Sequence, residues 1–247
     1  MSDGMHAGIV TITGHGGDEI EAYLAAPDGD ALRGSMVVIH HLPGYDTGTK
    51  EIVRRFAAEG YAALCPNLYH REAPGASPDD AAAFVRAQGG VPDEQVVGDV
   101  AGAAEYLKGL PGSNGKVGVI GHCSGGRHTF LAACSLELNA AVDCYGGAVV
   151  TPPPAEMGMR MPALLDRAPG LSCPLLGLFG GDDRFPTPAD VDVLSAELDR
   201  LGKPHEFHSY PGAGHAFFSV DRPSYRVDAA VDGWKRIFAF LGTHLGA

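Results

Sequence analysis

Three residue types that together can break a carbonyl bond each follow an apolar run in this sequence. Cys123 follows "KVGVIG", the acids Asp182 and Asp183 follow "PLLGLFGG", and His215 follows "HEFHSYPGAG". A thiol is a weak nucleophile until it is ionised. A histidine can take its proton, and a carboxylate can fix the histidine tautomer and stabilise the imidazolium. The leading interpretation is therefore nucleophilic attack by a cysteine on a carbonyl carbon.

The frame around Cys123 is typical of a tight turn between a strand and a helix. It reads Gly121-His122-Cys123-Ser124-Gly125, whereas the usual elbow of this shape carries serine at its centre. The N-terminus of a helix stabilises an anion such as a thiolate. A buried apolar cysteine is the common alternative for a free thiol, but this frame favours a nucleophile. Ser124 begins the helix, where a capping role suits its side chain better than attack.

Backbone donors for a developing oxyanion are expected on either side of Cys123. One is the N–H of Ser124, the residue after the nucleophile, and the other is the N–H of Leu42, which follows the apolar run "SMVVIHH". His215 is the expected general base. Either Asp182 or Asp183 could orient it, because both follow the same run.

The elements that must position these residues alternate along the chain. Apolar runs such as "SMVVIHH" alternate with helical patterns, for example at 47–59, 79–88, 92–109 and 223–244. Such alternation predicts an α/β fold with a mostly parallel central sheet, helices on both faces and right-handed crossovers. "GIVTIT" and "IEAYLAAP" predict an antiparallel hairpin at one edge. Sites in such sheets lie at the carboxyl ends of the strands, where the three candidates fall.

Composition limits the classes of function. The 247 residues are 45% hydrophobic and carry a formal charge of −12, which predicts one domain over 1–247 and disfavours nucleic acid or a membrane as partner. Five cysteines without C-x-x-C spacing predict reduced thiols and a cytoplasmic location rather than a disulfide framework. We expect a small-molecule substrate, no metal, and a monomer or small homo-oligomer.

Several stretches resemble the dienelactone hydrolase (carboxymethylenebutenolidase) family, a cysteine-using branch of the α/β-hydrolases. They are "GHCSGG", "GGDDRFPTP", "GAGHAF" and "GYAALCPNLYHREAPG", and together they span about 37–218. The order nucleophile, acid, histidine is that of the α/β-hydrolases. The resemblance implies a hydrolase of lactones and related esters without a cofactor. It also implies a triad of Cys123, His215 and Asp183, the second acid of its stretch.

The sequence departs from that family where the substrate and the thiol are handled. The family's glutamate at the end of the strand "VVIHH" is His41 here, and a histidine beside the thiol would favour the thiolate. Arg86 matches the first of the family's two carboxylate-binding arginines, but Ser219 stands in place of the second, and Arg222 is out of register. We expect His41, Arg86 and Tyr145 to contact substrate.

Other functions remain open at this level. A thioesterase or peptidase could use the same triad, and the Pro-rich stretch 151–173, expected to be a lid or surface loop, would then set specificity. A redox-active thiol protein or a non-catalytic binding module are alternatives of other classes. A reversible sulfenic acid on Cys123 would support the redox alternative.

Overall fold

An antiparallel hairpin forms the N-terminal edge of the sheet. In the computed structural model, which describes residues 4–29, 32–42 and 44–246, strand β1 (Met5–Thr13) pairs with β2 (Glu19–Pro27) along nine residues. The turn between them includes Gly16 and Gly17, both at positive φ, a conformation that glycine adopts without steric cost. The predicted edge hairpin is confirmed. Of the predicted 1–247 domain, residues 1–3, 30–31, 43 and 247 lie outside the described residues.

Six further strands complete an eight-stranded sheet in the order β1-β2-β4-β3-β5-β6-β7-β8. Strand β4 is antiparallel to β2, and every pair from β4 through β8 is parallel. All residues of β3 to β7 are buried, which explains why their sequences are continuously apolar rather than alternating. These strands are β3 Ser35–Ile39, β4 Ala62–Pro66, β5 Val117–His122, β6 Ala140–Cys144, β7 Leu175–Gly180 and β8 His205–Tyr210.

Helices cover both faces of the sheet, as predicted. Neighbouring residues of one strand belong to different cores: Val37 packs in one cluster and Val38 in the other, because successive side chains of a strand point to opposite faces. Helices α1 and α6 pack in the cluster of Val38, and α2 to α5 pack in the cluster of Val37. The helices are α1 Thr47–Ala58, α2 Pro78–Gln88, α3 Asp93–Lys108, α4 Ser124–Ser135, α5 Pro188–Arg200 and α6 Val227–His244.

Helix α6 begins later than its pattern predicted. The expected start was 223, but the helix starts at Val227 because the preceding residues form turns. The Tyr225 N–H donates to the Arg222 carbonyl, and the Arg226 guanidinium donates to the Gly212 carbonyl. These bonds hold the start of α6 against the loop that carries His215. In the part of the chain that the structure describes, no helix is long and apolar enough to cross a membrane.

Candidate active site

The chain turns sharply between β5 and α4, and Cys123 lies at the turn. Its backbone is in a left-handed conformation, at φ 56°, which is costly for a residue with a Cβ atom. The Cys123 N–H donates to the Cys144 carbonyl at 3.0 Å, and its own carbonyl accepts from Gly126 at 2.9 Å. A Cβ atom on Gly125 would lie 2.4 Å from the Ile39 carbonyl oxygen. Only glycine therefore lets α4 start this close to β3.

His215 connects Cys123 with one acid of the pair after β7. The Asp183 carboxylate accepts from Nδ1 of His215 at 2.9 Å, and its second oxygen accepts from the Phe185 N–H at 2.9 Å. The same imidazole interacts with the Cys123 side chain. Asp182 is exposed and contributes its backbone N–H to the Ala213 carbonyl. The structure thus brings together Cys123, His215 and Asp183, while Asp182 points away.

These contacts decide the charge of His215. Burial alone lowers the pKa of His215, but the hydrogen bonds to Asp183 and Cys123 outweigh burial and raise it to about 10. At neutral pH the ring is therefore an imidazolium. Because Asp183 holds Nδ1, the remaining ring nitrogen is the one that faces the sulfur.

A cavity of about 390 Å³ opens onto these residues. Leu42 and Ser124 line it together with Cys123 and His215. Within the described residues, the N–H groups of Leu42 and Ser124 donate no hydrogen bond to another part of the chain. Both N–H groups can therefore serve an oxyanion formed beside the sulfur. Arg86, predicted to contact substrate, also lines this cavity.

His41 and Tyr145, the other two predicted substrate-binding residues, are not among the residues that line the cavity. The His41 ring lies 3.3 Å from the Thr49 hydroxyl and 3.5 Å from the Asp46 carboxylate. Burial lowers the pKa of His41, against the opposing effect of Asp46. The residues that contact the His41 ring therefore belong to α1 and to its N-cap.

Tyr145 supports His215 from behind. Its ring is buried and lies edge-on against the His215 ring, with centroids 5.1 Å apart. Its hydroxyl lies near the side chain of Ser219, in the same loop as His215. We infer that Tyr145 holds the histidine loop in place, a role that its position at a strand end did not distinguish from lining the pocket.

Backbone strain is concentrated around the site. Among the described residues, the non-glycine positions with positive φ are Cys123, Tyr145, Ala148 and Ala216. Cys123 carries the thiol, Tyr145 packs on His215, and Ala216 directly follows His215. Ala148 follows Gly147, which lines the cavity. Such residues cluster at functional sites, where the surrounding fold maintains them. The sequence carries no signal for Ala148 or Ala216, because alanine rarely adopts this conformation.

Within the described ranges, no group of three His, Cys, Asp or Glu side chains is arranged to hold a metal ion. Three features together define an α/β-hydrolase. They are the sheet order, the sharp strand-to-helix turn at Cys123, and the acid and histidine that follow β7 and β8. The model of the dienelactone hydrolase family matches residues 20–245, so the chain belongs to that family.

Similar proteins agree with this assignment. A protein of Salmonella typhimurium assigned as a carboxymethylenebutenolidase is 34% identical over 97% of this chain and 88% of its own length. One of Methylorubrum extorquens with the same assignment is 35% identical over 96% of this chain and 80% of its own. The crystal structure of a protein of Klebsiella pneumoniae, assigned as a dienelactone hydrolase, has 29% identity and a TM-score of 0.85. It covers 97% of this chain and 99% of its own.

Proposed function

We propose that this protein hydrolyses a lactone or related carboxylic ester, with Cys123 as nucleophile, His215 as proton carrier and Asp183 as its orienting acid. The observation that carries the proposal is the placement of one imidazole that interacts with the Cys123 side chain and donates a hydrogen bond to the Asp183 carboxylate. The assignments of its curated relatives support a lactone as substrate.

In the first half of the reaction, the Cys123 sulfur attacks the carbonyl carbon and the carbonyl π electrons move to oxygen. The N–H groups of Leu42 and Ser124 bind the resulting oxyanion. Collapse of this intermediate breaks the bond to the ring oxygen, which takes a proton from the His215 imidazolium. The products are a thioester on Cys123 and a hydroxyl group on the same opened molecule.

In the second half, neutral His215 takes a proton from water as the water oxygen attacks the thioester carbonyl. The tetrahedral intermediate expels the Cys123 thiolate and releases the hydroxy acid. His215 is left as an imidazolium facing the thiolate, which is the state its raised pKa favours. The Asp183 carboxylate stabilises the imidazolium.

The test is hydrolysis of simple lactones and p-nitrophenyl acetate by the wild type, Cys123→Ala and Cys134→Ala. Cys134 is also a partly buried free thiol, but it lies in the last turn of α4, so its variant is the matched control. We expect Cys123→Ala to abolish hydrolysis and Cys134→Ala to retain it. After p-nitrophenyl acetate, whose leaving group needs no proton, mass spectrometry should detect an acyl adduct on Cys123 of a His215→Gln variant, because deacylation then lacks its base. Full activity of Cys123→Ala would refute the proposal.

The redox alternative receives less support from the surroundings of Cys123. Cys144 accepts the Cys123 N–H through its carbonyl, yet its thiol is fully buried, and burial raises its pKa. A thiol held in its neutral form is a poor partner for resolving a sulfenic acid. A thioesterase or peptidase would share the triad, and acyl-thioesters and peptides in the same activity panel separate these from lactones. The free cysteines of the described chain fit the cytoplasmic location that we propose.

A further inference from the structure

One wall of the cavity comes from a short irregular segment. Met157, Met159 and Met161, here called the methionine wall, all line the cavity with Cys123. Met157 ends a single 3-10 turn, and Gly158 follows it at φ 67°. The Arg160 side chain packs against Gly89 at the end of α2 and is not among the residues that line the cavity. The segment thus presents three thioether side chains to the substrate space and keeps the intervening charged residue out of it.

The methionine wall is anchored on both sides. The Arg160 N–H donates to the Gly89 carbonyl at 2.8 Å. The buried Arg127 guanidinium donates to the Pro162 carbonyl at 2.9 Å and holds Asp93 through two bonds, of 2.7 and 3.1 Å. Met159 and Met161 are half-buried against α2, whereas Met157 is 45% exposed at the outer end. The inner part of the wall therefore has a fixed place opposite the thiol.

The remainder of the cavity is also mostly apolar. Leu42, Pro153 and Phe185 contribute to its surface. Arg86 and Glu156 are its charged members apart from the imidazolium, both exposed and of opposite sign. The added negative charge of Glu156 offsets the attraction that Arg86 exerts on an anion.

Among the described residues that line this cavity, Arg86 has no second arginine or lysine beside it to bind a substrate carboxylate. Ser219, at the position where the resemblance predicts an arginine, carries no charge and lies near Tyr145. Arg222 lies near His41, and neither Ser219 nor Arg222 lines the cavity. An anionic substrate would therefore bury its charge against one exposed arginine and three methionines, whereas an apolar group would find flexible, polarisable partners.

We propose that the substrate is an uncharged lactone bearing an apolar side chain of several carbons, and that Met159 and Met161 bind this chain. The inference rests on the proposed lactone hydrolysis and adds the class of substrate. A volume of about 390 Å³ lies in the lower part of the range of small-molecule sites. It suits one lactone ring with a flexible chain.

The test measures kcat/KM for γ-lactones whose side chain lengthens from methyl to hexyl, and for a γ-lactone bearing a carboxymethyl group. We expect kcat/KM to rise by at least about tenfold from methyl to hexyl, since each buried methylene contributes roughly threefold. The carboxymethyl lactone should be the poorest substrate. A flat series, or a preference for the carboxymethyl lactone, would overturn the inference.

Variants connect this preference to the methionine wall. Met159→Gln and Met161→Gln keep the side-chain length but add an amide, so the hexyl-to-methyl ratio of kcat/KM should fall by about fivefold or more. Met5→Gln, at an exposed position of β1, is the control and should keep the wild-type ratio. An unchanged ratio in both wall variants would contradict the assignment of the wall. If the wild type hydrolyses no lactone, the proposed function fails; if it hydrolyses all equally through Cys123, only the substrate class fails.

Discussion

Two buried carboxylates of this protein hold a partly exposed cation, and they do so differently. Asp99, whose side chain is fully buried, accepts two bonds from the Arg71 guanidinium, of 2.9 and 3.0 Å, and one from the His15 N–H. Asp183, 2% exposed, accepts one bond from the His215 imidazole and one from a backbone N–H. Both cations are partly open to water.

The difference lies in what the cation has left to offer. Arg71 uses both terminal nitrogens on Asp99 and its Nε on Asp18, and the hydrogen bond to Asp99 raises its pKa further above the ordinary value. It cannot give up a proton, so the cluster joins the hairpin turn to α3 and does no chemistry. His215 gives Asp183 one nitrogen and keeps the other for Cys123. An imidazole between two partners can carry a proton, which a guanidinium cannot.

The largest expected effect is at the imidazole. His215→Ala should lower kcat/KM for a lactone by about 10³–10⁴-fold, because both proton transfers lose their carrier. The circular dichroism spectrum should stay that of the wild type. His6→Ala, at an exposed position of β1, is the control and should retain activity. A fall in kcat/KM of less than tenfold in His215→Ala would show that His215 and Arg71 differ less in function than their hydrogen bonds indicate.

Next in size is the loss of the guanidinium. Arg71→Met should lower the free energy of unfolding by about 3–5 kcal/mol, because it leaves Asp99 buried without its countercharge. Urea denaturation measures this, and kcat/KM of the folded variant should stay within about twofold of the wild type. A large fall in kcat/KM at unchanged stability would contradict the structural role of this cluster.

Asp183→Asn should lower kcat/KM by about 10²-fold and also move the pH profile. The hydrogen bond that His215 donates to Asp183 helps to raise the pKa of His215 from 6.5 to about 10, so its removal lowers that pKa. The alkaline fall of kcat/KM should then occur at a lower pH than in the wild type.

The same shift has a consequence for stability. A group whose pKa is raised on folding stabilises the protein fully below its unfolded value and loses that contribution as the pH rises through the folded value. The stabilisation from His215 should therefore be complete below about pH 6.5 and lost toward pH 10. Urea unfolding across this interval should show a smaller loss, complete at a lower pH, in Asp183→Asn, and identical pH dependence in the two proteins would refute it.

The smallest effect is expected at Asp18, the exposed partner of Arg71. Its side chain is 60% exposed, so water screens the pair, and Asp18→Asn should cost less than about 1 kcal/mol in urea unfolding. Measured beside Arg71→Met, this variant separates the buried half of the cluster from the exposed half. Equal losses of unfolding free energy in Asp18→Asn and Arg71→Met would show that burial does not decide how much each ion pair stabilises the protein.

The elbow and the fold class could be predicted because their signals are local. The glycines around Cys123 and the apolar run before it specify a strand, a turn and a helix, whatever the remainder of the chain does. The confirmed parallel sheet follows from alternating elements, and continuous apolar strands follow from burial on both faces. Position after the strand left Asp182 and Asp183 open, and the family resemblance chose Asp183. In the structure it is the Asp183 carboxylate that accepts from His215.

The placement of His41 and Tyr145 could not be derived in the same way. Whether a residue at a strand end faces the cavity depends on partners elsewhere in the chain. For His41 these partners are Asp46 and Thr49 on the following helix, and for Tyr145 the partner is Ser219, far along the chain. The methionine wall gave no periodic signal, because its segment is irregular and is held by Arg127 and Gly89 rather than by a sheet.

The left-handed backbone at Cys123, Tyr145, Ala148 and Ala216 has a consequence for laboratory evolution. Glycine would relieve the strain at each of these positions, by about 1 kcal/mol or more apiece. A screen that rewards heat resistance alone would therefore enrich glycine at Ala148, Ala216 and Cys123, and at Cys123 it would remove the sulfur itself. At Tyr145 the packing of the buried ring outweighs this relief. Libraries made to stabilise this protein should keep the four positions fixed and vary the outer helix faces instead.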